Sequence, residues 1–200
     1  MTDLDRLEGV VAVCGNCDLG KSAETRVFGS GNPHASLMFI GEAPGREENM
    51  AGLPFVGDAG ELLDKALAKL SVPREMFYIA NILKCWPRGN RRPEKFELNA
   101  CIAYLEEQVR IVNPRVIVAL GATSAQTLLQ IHSSIGKIRG KVMAGPHEKL
   151  VVPTWHPAYI LRCGGKKGGS KTRQKKAAKE FIADLKLAFD LAEVKWEEAE

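Results

Sequence analysis

The chain has 200 residues, enough for about one domain with a sizeable core, and its 45% hydrophobic and 26% charged residues are those of an ordinary soluble protein. A net charge of +4 and a pI near 8.8 lean basic, which permits a polyanionic partner without demanding one. The first residues lack the uninterrupted apolar run of a signal peptide and no stretch approaches bilayer-spanning length, so a cytoplasmic protein is expected, in which five cysteines signal metal, cluster or redox chemistry before disulfides.

Residues 10–17 open apolar and then read Cys14-Gly15-Asn16-Cys17, a C-x-x-C pair on a glycine-softened loop. Overlapping it, GNCDLGKS (15–22) fits the phosphate-loop pattern G-x-x-x-x-G-K-[ST]. That motif works only where the loop caps a long helix. Here Gly29-Ser30-Gly31 follows almost at once, and no later apolar strand ends in an aspartate suited to magnesium, so the match is read as fortuitous.

The stretch 37–60, LMFIGEAPGREENMAGLPFVGDAG, organises the rest. Its first four residues read as a buried strand. Gly41-Glu42-Ala43-Pro44-Gly45 then forces a sharp loop, because glycine permits tight backbone geometry and proline stops helix and sheet alike. The loop presents Glu42, acid follows at Glu47 and Glu48, and Leu53-Pro54-Phe55-Val56-Gly57 returns an aromatic beside it.

A helix is expected over 61–70 and a strand over 77–83 that contains Asn81, an amide that must be paired or face a ligand. Cys85-Trp86-Pro87 leads to Arg88, Arg91 and Arg92, and a helix over about 93–112 carries Cys101. A buried strand over 116–120 runs into Gly121-Ala122-Thr123-Ser124 and a short helix ending near Leu129. A strand over 150–154 ends in Trp155-His156-Pro157-Ala158-Tyr159. Before the last helix, over about 173–194, lies a basic Gly/Lys-rich loop at about 164–176; residues 166–179 carry seven basic residues and no acid.

Strands alternating with helices predict a single α/β domain over 1–200, three-layered α/β/α with a mainly parallel four-stranded sheet. In such sheets ligands bind outside the carboxyl ends of the strands. Parallel pairing would gather the GEAPG loop, Asn81, the GATS turn and His156 at one edge, a pocket for a flat polar ring with Phe55 as its apolar wall. His34, His132 and His147 lack such company and are expected to be solvated. Cys14, Cys17, Cys85 and Cys101 leave Cys163 over, and their uneven spacing by itself leaves zinc, an iron–sulfur cluster and no metal open.

GEAPG followed by GLPFVG, NILKC and HPAYILR, with the C-x-x-C near the N-terminus, resembles the family 4 uracil-DNA glycosylases of bacteria and archaea over most of the chain. The resemblance implies a 4Fe-4S cluster on Cys14, Cys17, Cys85 and Cys101, and an enzyme that flips uracil out of single- or double-stranded DNA, hydrolyses its N-glycosidic bond and releases the free base. It implies a uracil site of Gly41, Glu42, Ala43, Glu47, Phe55, Asn81 and His156, with Glu42 and His156 catalytic. The best-known uracil glycosylases carry an aspartate where this chain has Ala43, which leaves Glu42 and Glu47 as the candidate carboxylates, Glu47 alternatively shaping the pocket against thymine. Arg88, Arg91, Arg92, Arg139, Lys141 and Arg162 are the cations expected to hold DNA phosphates, and Tyr159, Ile160 or Leu161 the side chain that fills the gap left in the stack. A monomer is expected. A nucleotide-binding protein using GNCDLGKS, and a DNA-binding module with a structural metal and no chemistry, are the competing readings.

Overall fold

The computed structural model describes residues 1–165 and 169–198. In chain order the elements are α1 (Asp3–Ala12), α2 (Asp18–Ser22), β1 (Ser30–Gly31), β2 (Leu37–Gly41), α3 (Arg46–Ala51), α4 (Asp58–Lys69), β3 (Tyr78–Asn81), α5 (Lys95–Val112), β4 (Val116–Leu120), α6 (Ala122–Leu129), α7 (Ile135–Ile138), β5 (Met143–Ala144), β6 (Leu150–Thr154), α8 (Pro157–Cys163) and α9 (Lys171–Leu191). The sheet runs β1-β3-β2-β4-β6-β5, with four parallel strands at the centre and a short antiparallel strand at each edge. The expected four-stranded parallel sheet is therefore the middle of a six-stranded mixed one. Two-residue edge strands carry no periodicity of their own and exist only through their pairing with β3 and β6.

Successive side chains of a strand point to opposite faces, and the core divides accordingly. Leu37, Phe39, Ile79, Val118 and Val152 face α4, α8 and α9, whereas Met38, Ile40, Ala80, Ile117 and Val151 face α1, α5 and α6. Burial on both faces explains why these strands read as continuous apolar runs. Pro153 is tolerated in β6 because β5 already ends opposite Val151; the Pro153 carbonyl accepts from Gly140 N at 2.9 Å on that uncovered side.

Helix α1 was not foreseen. Its signature is present in Thr2 and Asp5, which form a reciprocal capping box. The final helix begins earlier than expected because the Ser170 hydroxyl accepts from Arg173 N at 3.4 Å, which places Lys171, Arg173, Lys175 and Lys176 on α9. Lys166 and Lys167, the rest of the expected basic loop, lie outside the described residues. The phosphate-loop pattern folds as α2, five residues long with Cys17 at its N-cap, too short to cradle phosphates.

Candidate active site

The carboxyl ends of the four parallel strands open into one cleft of about 780 Å³. Register places Gly41 beside Asn81 and Leu120 beside Thr154, so the loops that follow these strands meet. Glu42, Ala43, Glu47, Phe55, Asn81, Gly121 and His156 all line the cleft. Gly41 lies directly behind them. A Cβ on Gly41 would overlap the Asn81 side-chain oxygen and meet Phe55 Cζ at 2.7 Å, so only glycine lets amide and ring approach each other across β2. Asn81 is 2% exposed and its side-chain oxygen has no partner among the described residues. A buried acceptor left open at the floor of a cleft is costly unless a ligand's donor meets it.

Phe55 is held in a left-handed backbone conformation, φ 52°, which is unusual for a bulky side chain and persists only where its surroundings over-determine it. Two groups do so. Arg74 Nη1 donates to Phe55 O at 2.8 Å and Arg74 Nη2 to Pro54 O at 2.7 Å, with Asp64 holding the guanidinium from behind at 2.8 Å. On the other side Glu48, 7% exposed, accepts from Val56 N at 2.9 Å and Gly57 N at 2.8 Å through one oxygen and from Gly45 N at 2.9 Å through the other. That single carboxylate joins the GEAPG loop to the Phe55 turn. Sequence reasoning passed over Glu48 as one more acid; its place three residues into α3, where a carboxylate reaches back to the N-cap amide, is the signal that identifies it. Glu47 is exposed at the cleft edge beside Gly57.

His156 is the N-cap of α8, and its Nδ1 accepts from Ala158 N at 3.2 Å, which leaves Nε2 as the protonated, donating nitrogen. Burial of the ring, and then the Arg162 charge, lower its pKa to about 4 against an opposing pull from Glu48. The imidazole is thus neutral at ordinary pH. Its ring centroid lies 5.8 Å from that of Phe55 at 31°, and Gly121, at φ 94°, lets the GATS turn pass within 3.0 Å of His156 Cβ as measured from an added Cβ. Ser124 turns away from the cleft, its hydroxyl bonded to Ile40 O at 2.7 Å. His34, His132 and His147 are exposed, as expected.

The four cysteines expected to act together do gather. Burial comes first and the neighbouring thiols Cys101, Cys17 and Cys14 add to it, against Arg26, in pushing the Cys85 thiol up to about 12. Burial likewise raises Cys101, with Cys17 and Cys14 among the further contributors. Among the described residues no three His, Cys, Asp or Glu side chains are close enough to hold a single metal ion. The four candidate donors are all thiols, the ligands that hold [4Fe–4S] clusters, and a polynuclear cluster spaces its ligands more widely than one ion does. Around the group, Arg26 donates to the carbonyls of Ala23, Cys14 and Gly20 while its buried Nε has no partner among the described residues, and the Tyr104 hydroxyl lies 3.3 Å from Cys14 Sγ. Ala43 packs against the apolar shell of Cys85, Cys101 and Leu83, so the cysteines back directly onto the cleft loop. Cys163 is buried apart from them, its thiol against the Tyr159 hydroxyl.

Of the expected cations, Arg91, Arg92 and Arg162 line the cleft; Arg88 and Lys141 are exposed outside its lining. Arg91 forms a two-pronged pair with Glu97, at 2.9 and 2.5 Å, and Glu97 is itself 1% exposed. Arg139 does not stand at the cleft. Its guanidinium is committed to Asp184, by Nε to Oδ2 at 2.9 Å and by Nη2 to Oδ1, and Asp184 also accepts from Thr154 Oγ1 at 2.6 Å. Asp184 lies on a helix 45 residues away, a partner that spacing along the chain cannot reveal. Most of the segment 156–162 is α8; of the three side chains expected to fill the gap in the stack, Ile160 is 1% exposed in the core, which leaves Tyr159 and Leu161 facing the cleft.

The chain matches the model of the Uracil DNA glycosylase superfamily over residues 28–186. It is 40% identical to a type-4 uracil-DNA glycosylase of Pyrobaculum aerophilum over 94% of this chain and 93% of the relative. It is 43% identical to one of Thermotoga maritima over 76% of this chain and 80% of the relative, and 41% identical to one of Saccharolobus solfataricus over 80% and 78%.

Proposed function

The chain belongs to the type-4 uracil-DNA glycosylases of the uracil DNA glycosylase superfamily, and from that membership and the geometry of its cleft we propose the following mechanism. The enzyme excises uracil from DNA as a DNA-repair glycosylase, releasing the free base and leaving an abasic site. The observation that carries the residue assignments is the buried, unpaired Asn81 oxygen, which faces the same cleft as the Phe55 ring and the neutral His156.

A flipped uracil stacks on Phe55, gives its N3–H to the Asn81 oxygen and takes the Asn81 amide N–H at O4. His156 Nε2–H donates to O2. When the C1′–N1 bond breaks, its electron pair moves onto the uracil ring and cationic character appears on the sugar. A preorganised donor at a developing anion contributes about 3 to 4 kcal/mol, and enzymes lower barriers by about 8 kcal/mol or more. His156 therefore does not act alone. Backbone N–H groups of the Glu42–Ala43 turn supply further donors, and the Glu42 carboxylate stabilises the sugar cation and orients the water that adds to C1′; the proton this water loses balances the one the uracil anion takes up to leave as the neutral base. Arg92 and Arg162 hold flanking phosphates while the base is out of the stack.

Cys14, Cys17, Cys85 and Cys101 would hold a 4Fe-4S cluster in this reading. Its contribution would be structural, joining the N-terminal loop, the segment after β3 and α5; the excision chemistry belongs to the cleft residues. The all-thiol set and the packing of Cys17 and Ala43 against the buried Cys85 and Cys101 support it.

The test is release of uracil from a labelled oligonucleotide beside a thymine control, with wild type and with Asn81→Ala and His156→Ala. Uracil-specific release that both substitutions lower by at least about a hundredfold in kcat, with DNA binding largely kept, supports the assignment. Equal losses in turnover and DNA binding for His156→Ala would refute its role. Iron and sulfide content with visible absorbance tests the cluster; colourless zinc-loaded protein would overturn it.

A further inference from the structure

We propose that Trp155 and Tyr159 form a second base subsite, which holds the nucleobase next to uracil in the same strand. This rests on reading the cleft as a uracil-excision site. At about 780 Å³ the cleft has the capacity of a site for a drug-sized ligand, several times what one pyrimidine ring needs. Phe55, Asn81 and His156 account for one part of it. Trp155, Tyr159 and Ile135 line the same cavity; the excision chemistry uses none of them, and Tyr159 has so far been only one candidate, beside Leu161, to fill the gap in the stack.

The two rings form a stacked pair, centroids 4.6 Å apart and planes at 25°. Trp155 Nε1 donates to Glu180 Oε2 at 2.8 Å, which fixes the indole, yet both rings remain partly exposed on the cleft. A preset aromatic surface that still faces an opening is what an unstacked base requires, because every base has a π-face and the platform loses little freedom on binding. Trp155 directly precedes His156, and Tyr159 follows it within the first turn of α8. The platform thus adjoins the base pocket, where the neighbour of a flipped nucleotide must pass. Arg162, exposed at the same cleft, offers a cation to the intervening phosphate.

The test uses the full chain and single-stranded oligonucleotides with one uracil, in which the base on its 5′ or 3′ side is replaced by a baseless tetrahydrofuran spacer. With wild type, the spacer on one side raises KM by about tenfold, within the range of one base–aromatic stack, and leaves kcat nearly unchanged. Tyr159→Ala and Trp155→Leu raise KM on the normal strand and become indifferent to the spacer. Trp155→Phe and Tyr159→Phe, which keep an aromatic face and guard against a variant that simply fails to fold, retain the spacer effect. A wild-type KM unchanged by either spacer, or a full spacer effect surviving in Tyr159→Ala and Trp155→Leu, overturns the subsite while uracil release still upholds the activity. Absence of uracil release from every strand would overturn the activity and the subsite together.

Discussion

Replacing Glu48 by alanine should both destabilise the protein and impair the site, and the size of each effect follows from three hydrogen bonds. The carboxylate accepts from Gly45, Val56 and Gly57 N–H at 2.8 to 2.9 Å. Bonds to a charged acceptor are each worth about 1.5 to 3 kcal/mol. Val56 is exposed and Gly57 half-buried, so water takes over part of the lost bonding, and removing the carboxylate also relieves its own burial. About 1 kcal/mol per bond remains, roughly 3 kcal/mol in all, which for a chain of this size lowers Tm by about 6 to 12 °C. The same loss frees the strained Phe55 turn from one of its two restraints, so kcat/KM should fall at least about tenfold. Glu48→Gln keeps one oxygen for Val56 and Gly57 but sets an NH₂ against Gly45 N–H, and should fall between wild type and alanine. Circular-dichroism melts and uracil-release kinetics on the three proteins decide it. An alanine variant with wild-type Tm and wild-type kcat/KM would refute the reasoning, as would a glutamine variant worse than alanine.

His156, with its pKa lowered to about 4 from an ordinary 6.5, should show no ring titration by NMR between pH 8 and 5.5, and the activity profile should lack an inflection near 6.5 assignable to it. The stability it contributes is complete above about pH 6.5 and declines as pH falls toward 4, because the unfolded chain takes up the proton first. Arg139→Ala should destabilise by about 3 to 5 kcal/mol, since it strands the buried Asp184 carboxylate, while the salt dependence of DNA binding stays unchanged. Arg92→Ala should do the reverse, lowering the salt slope by about 0.7 to 0.9 with little change in Tm. Asn81→Asp, nearly isosteric, replaces the N–H offered to O4 by an acceptor and should lower kcat/KM on uracil by about a hundredfold or more; a small change would place the base elsewhere.

What the chain determined locally is the set of elements whose signal is complete within a short window. The strands over 116–120 and 150–154 were legible to the residue because burial on both faces leaves mainly apolar runs, VIVAL closed by Gly121 and LVVPT closed by the Trp155-His156-Pro157 turn. Motif order then sufficed to bring Glu42, Phe55, Asn81 and His156 to one edge, since parallel strands put all their carboxyl ends together. The tertiary structure alone decided the rest. It made Arg139 a partner of Asp184, tied Arg91 to Glu97, turned Glu48 into the clasp of the Phe55 turn and set Arg74 against the carbonyls of Pro54 and Phe55. It also created both edge strands, each too short to carry a pattern. Hydrophobic periodicity is written along the chain because it reflects the geometry of one element, whereas the partner of a charge or an amide is set by distance in space, between residues that only the finished packing brings together.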